Sequence, residues 1–121
     1  MGNALEQVTP QPFRIVAESE VERALDFLRD NAEAIGVAKA EVVAAGHWIK
    51  HVEAIEFLAA EGGSAEHRKA VARTTEKYTE AAEREADVVG EYEKLKSLRE
   101  AAALKIEAWR SEQATFRSMK L

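Results

Sequence analysis

The stretch TEKYTEAAEREADVVGEYEKLKSLREAAALKIEAWRSEQATFRSM, Thr75–Met119, decides the fold. It holds no proline, and its only glycine is Gly90. Apolar residues recur in alternating steps of four and three at Ala81, Val88, Tyr92, Leu95, Ala102, Ile106, Trp109 and Phe116. Glu85, Arg99 and Gln113 fill the remaining steps of the series. A 4-3 alternation keeps one narrow stripe facing a partner as an α-helix turns, which is the pattern of a coiled-coil seam. At ~1.5 Å per residue such a helix is roughly 65 Å long, so it needs another long helix to cover its stripe.

That second helix is found upstream. Ser19-Glu20-Val21-Glu22 has capping-box spacing and predicts a helix start at Glu20. Val21, Leu25, Leu28, Ala32, Ile35, Val42, Ala45, Ile49, Val52 and Ala59 carry an apolar stripe to about Glu61. Gly36 and Gly46 cost about 1 kcal/mol each relative to alanine but do not stop a helix. Gly62-Gly63 predicts the stop, by a left-handed glycine cap. Ser64 then caps a short helix from Ala65 to Arg73, and Thr74-Thr75-Glu76 opens the long one. The expectation is an all-α fold: a long antiparallel helical hairpin, coiled-coil-like, with a short helix at its tip. Residues 19–121 form this domain, and 1–18, with Pro10 and Pro12, form a flexible N-terminal arm.

Both arms carry apolar residues off their seams: Val37, Val43, Trp48, Ile55, Phe57 and Leu58 on the first, and Val89, Leu98 and Leu104 on the second. A two-helix hairpin leaves these wet, and soluble monomers rarely expose such a surface. Either the chain folds back into a three-helix bundle or two chains associate. A homodimeric bundle is the expectation, because twofold pairing is the commonest closed symmetry.

Composition narrows the function classes. The 121 residues are 46% apolar, 7% aromatic and 32% charged, which suits exposed helices with thin seams. The chain has no cysteine, so it has neither disulfide nor thiolate chemistry. Its beginning has neither a basic region nor an apolar core of the signal-peptide kind, and no run reaches the ~18 apolar residues of a membrane span. The net charge of −5 argues against a general nucleic-acid binder. A local basic patch remains near the end, at Lys105, Arg110, Arg117 and Lys120.

No enzyme chemistry is legible. His47 and His51 are one turn apart but lack a third ligand, so no metal or other cofactor is expected. The carboxylate pairs, such as Glu76/Glu80 and Glu83/Asp87, fall on helix surfaces beside Lys77 and Arg84, where they form solvated ion pairs. Trp109-Arg110 and Phe116-Arg117 are the most suggestive cluster. Aromatics beside arginines stack on unpaired bases, or anchor a protein interface. The simpler reading keeps Trp109 and Phe116 in the seam and turns the arginines outward.

Two strings carry a resemblance. The first is Ala24-Leu25-Asp26-Phe27-Leu28-Arg29-Asp30-Asn31-Ala32-Glu33 followed by Ala38-Lys39-Ala40-Glu41. The second is Leu98-Arg99-Glu100-Ala101-Ala102, then Lys105-Ile106-Glu107-Ala108-Trp109-Arg110-Ser111 and Ala114. From Val21 to Phe116 the chain resembles a family of small helical proteins of tailed phages and prophages, often encoded beside genes for recombination and single-stranded DNA handling. The resemblance implies a non-enzymatic accessory to phage DNA replication or recombination in the host cytoplasm, and it transfers no catalytic residue. Its partner would be a phage or host DNA-metabolism protein, or, more weakly, single-stranded DNA. Two alternatives stand beside it. One is an inhibitor of a host defence or repair nuclease that uses the acidic face Glu18 to Glu61 as a DNA mimic. The other is a purely structural coiled-coil assembly protein.

Overall fold

A computed structural model describes residues 14–119. Readings placed on residues 1–13 and 120–121, Lys120 among them, lie outside the described residues. Within them the helical periodicity produces three helices and no strand: α1 (Glu18–Ala59), α2 (Ala65–Ala72) and α3 (Glu76–Met119). The long helices, of 42 and 44 residues, pack against each other as an all-α helical hairpin.

The start of α1 corrects the sequence reading. The helix begins at Glu18, not Glu20, and the Ala17 carbonyl accepts from Glu20 N–H at 3.0 Å and Val21 N–H at 3.2 Å. Val16, just before the cap, and Val21, at the fourth helical position, are both buried. These are the two positions of a hydrophobic staple. Burying a valine contributes ~1.5–3 kcal/mol. A Ser19 cap would contribute only ~1 kcal/mol, so apolar anchoring sets the boundary. At its other end α1 stops at Ala59 rather than near Glu61, where Gly62 and Gly63 turn left-handed with φ of 69° and 85°.

The chain divides into two compact units: residues up to 30 with those from 99 onward, and Asn31–Leu98. In the second unit, Ile35, Ala38, Ala45 and Val52 of α1 are buried, as are Ala81 and Val88 of α3. Tyr92 and Leu95 are half-buried, and Lys39 Nζ lies 5.1 Å from the centre of the Tyr92 ring. The turn of this unit is closely tied. Ser64 Oγ accepts from His67 N–H at 3.2 Å and caps α2. The Arg68 guanidinium donates to the Phe57 carbonyl at 3.2 Å and sits 4.7 Å from its ring centre, so a cation meets the C-terminal end of α1. Arg73 pairs with Glu53 at 3.3 Å, and Ala72 is wholly buried. Thr75 Oγ1 accepts from Tyr78 N–H at 3.3 Å and opens α3 at Glu76. In the first unit, Val16, Val21, Ala24 and Ala102 are buried, while Leu28, Ile106, Trp109 and Phe116 are half-buried.

The α1 stripe is the second correction. Leu25 is 52% exposed, and Ala32 and Ala59 are exposed as well. Val21, Leu28, Ile35, Val42, Ala45, Ile49 and Val52 of the expected stripe are covered, and Ala24, Asn31, Ala38 and Glu56 complete a series that alternates by three and four. Small residues at every other step let two helix backbones approach closely, which leucine at 25 would prevent. Among the described residues six of the eleven buried apolar side chains are alanines, and no large side chain is fully buried. The seam is therefore thin, and its flanks matter.

Candidate interaction surface

The basic cluster read from sequence is not one surface. Lys105, Arg110 and Arg117 are all exposed on α3. Arg110 and Arg117, one heptad apart, share a strip, but Lys105 lies about 140° around the helix from Arg110 at 100° per residue. Arg110 is also engaged, donating to Glu107 at 3.2 Å across one turn. An exposed pair of this kind contributes only ~0.3–0.5 kcal/mol, yet it halves the free charge of the strip. On the acidic first arm, Arg29 bridges Asp26 at 3.1 Å and Asp30 at 2.9 Å. Asp30, by hydrogen bond and charge, and then Asp26 hold that guanidinium further toward its charged form.

Glu112 is the residue that sequence reasoning missed. It is an acid among the basic residues of the C-terminal patch, yet it is buried, and its Oε1 accepts the backbone N–H of Ile15. Arg14 places its guanidinium 5.5 Å from the centre of the Phe116 ring. Together with buried Val16 these contacts pin the entry into α1 across the end of α3. Glu112 sits one residue before the seam position Gln113, so it lies at the seam edge; the signal was positional, and its acidity disguised it. Glu112→Ala is expected to speed hydrogen exchange of the Ile15 amide about tenfold, as a charge-assisted bond of ~1.5 kcal/mol is lost. Unchanged exchange would show that Glu112 does not hold this segment.

The larger feature is on α1 within Asn31–Leu98. Val37, Ala44, Trp48, His51, Ile55 and Leu58 are all exposed, and they too step by three and four along the stripe that Glu41 completes. This is the seam series shifted back by one residue, hence a second stripe rotated about 100° from the first. Trp48 is 53% exposed and Leu58 76%. The His51 ring lies 5.5 Å from that of Trp48. Between the helices Trp48, Val52, Ile55 and Ala81 line a groove of about 470 Å³, with Lys77 and Arg84 of α3 along it. The opposite flank has a groove of about 500 Å³ that includes Glu53, Tyr78, Lys50 and Glu85, a more polar lining with Gly46 in its wall. The apolar surface is thus concentrated on the Trp48 side.

His47 and His51 are both exposed, and among the described residues no group of three histidine, aspartate or glutamate side chains is placed to hold a metal ion. No described helix is long and apolar enough to cross a membrane. The chain matches no family model, no curated protein and no solved structure.

Proposed function

We propose that this is a non-enzymatic helical interaction module that works by protein–protein contact along the Trp48 stripe of α1. The observation that carries the reading is that stripe itself: a second heptad series, apolar at Val37, Trp48, Ile55 and Leu58, on a helix whose first series is already covered. A helix with two such stripes has one more helix to bind than the hairpin supplies. Protein contact is favoured over nucleic acid because Arg110 is paired, Lys105 faces elsewhere, and the chain carries a net charge of −5. The resemblance to phage helical proteins directs the partner search to phage DNA replication and recombination.

A photo-cross-linking residue substituted at His51 is expected to form protein adducts with the full chain in solution and in extracts, whereas the same group at Leu104 gives few. A labelled single-stranded oligonucleotide is expected to bind weakly, and Arg110→Ala with Arg117→Ala to leave that binding unchanged. Tight oligonucleotide binding lost in that double variant, with no adduct from position 51, would overturn the reading.

A further inference from the structure

We infer that the occupant of the Trp48 stripe is a second copy of this chain, docked antiparallel about a twofold axis between His47 and Trp48. This rests on the stripe being a protein-contact surface. A twofold interface must be complementary to itself, each residue meeting a counterpart reflected through the axis. The stripe meets that condition. With the axis between His47 and Trp48, Val37 meets Leu58 of the copy and Ala44 meets His51. Small Ala44 leaves room for the copy's indole to enter as a knob.

The neighbouring helix satisfies the same axis. Trp48 and Arg84 line one groove, as do Ile55 and Lys77, so the level of Trp48 on α1 corresponds to about residue 85 on α3. Arg84 and Asp87, both exposed, flank that level and are brought together across the axis. Further out, Lys77 and Glu80 come level with Lys94 and Glu91 of the copy, so each has a like charge opposite it and an opposite charge one turn away. Arg84 and Asp87 are thus the charges of this flank that a second copy complements.

The size is also sufficient. Val37 to Leu58 spans about 33 Å of helix, and two helices side by side are about 20 Å wide. That gives roughly 650 Å² per copy, close to the ~800 Å² per partner of a stable interface and well above a casual contact.

The test uses the full chain. Light scattering at about 50 μM is expected to return twice the chain mass of 13.4 kDa. Trp48→Glu is expected to return the single-chain mass with helical circular dichroism retained. The natural chain has no cysteine, so orientation is read by disulfide trapping. A mixture of Val37→Cys and Leu58→Cys chains should form the mixed dimer on oxidation, while Val37→Cys alone should not cross-link. A single-chain mass for the parent would overturn the self-association but not the module, which stands if the cross-linker at position 51 still captures a different protein. A Trp48→Glu chain that stays dimeric places the interface elsewhere and overturns the proposal. Self-linking of Val37→Cys would overturn the antiparallel axis.

Discussion

Val88→Asp is expected to lower the thermal midpoint by about 15 °C, while Leu104→Asp leaves it within a degree or two. Val88 is 7% exposed in the seam of α3 and Leu104 is 69% exposed on the same helix. Aspartate at 88 loses ~1.5–3 kcal/mol of side-chain burial. It also places a charge in the buried seam, for a total cost of about 4 kcal/mol. At roughly 4 °C per kcal/mol for a domain of this size, the shift follows. Leu104→Asp exchanges an exposed apolar group for an exposed charge, which normally changes stability by less than ~0.5 kcal/mol. Calorimetry on the two variants therefore reads the seam register directly. Equal midpoints would mean that the helix presents another face.

The α3 register was legible because its covered positions include bulky residues that mark the stripe plainly. Tyr92, Leu95, Ile106, Trp109 and Phe116 all fall in one 4-3 series, and the structure finds each of them half-buried, in line with buried Val88 and Ala102. The α1 register was less legible because alanine carries little hydrophobic signal. Ala24 and Ala38 occupy seam positions that the sequence stripe omitted, while the larger Leu25 lies on the flank and took the place of Ala24 in that reading. Ser19 misled in the same way, since a good cap residue is weaker than a buried valine pair. The tip was clearer. Gly62-Gly63, Ser64 and Thr75 act through local backbone chemistry that needs no tertiary context.

The functional surface was visible only in outline. Off-seam apolar residues were evident, but a sequence alone does not say which of them share a side with α3. The structure separates them: Trp48 and Ile55 fall with Lys77 and Arg84, while Val43 falls on the Gly46 side. The buried state of Glu112 depends on where the entry into α1 crosses α3, a long-range contact between residues 15 and 112 that no local pattern encodes.

Gly63→Val should cost about 3 kcal/mol, the largest penalty expected at the tip. The residue holds φ of 85°, which an L side chain adopts only at ~1–2 kcal/mol, and a β-branched one with more strain. A Cβ there would lie 2.5 Å from Cδ2, 3.0 Å from Cγ and 3.2 Å from Cβ of His67, so the whole ring and its root must move. That movement is resisted, because His67 N–H donates to Ser64 Oγ in the first turn of α2. Gly62 offers the contrast: its φ is 69°, but nothing lies within 4 Å of an added Cβ. Gly62→Val should therefore cost only the backbone strain, about 1–2 kcal/mol. Urea midpoints of the two variants separate backbone from contact. Adding His67→Ala to Gly63→Val should recover about 1 kcal/mol, because the clash is removed while the strained φ remains. If His67→Ala recovers nothing, the penalty at 63 is backbone alone and the tip is not locked by the histidine.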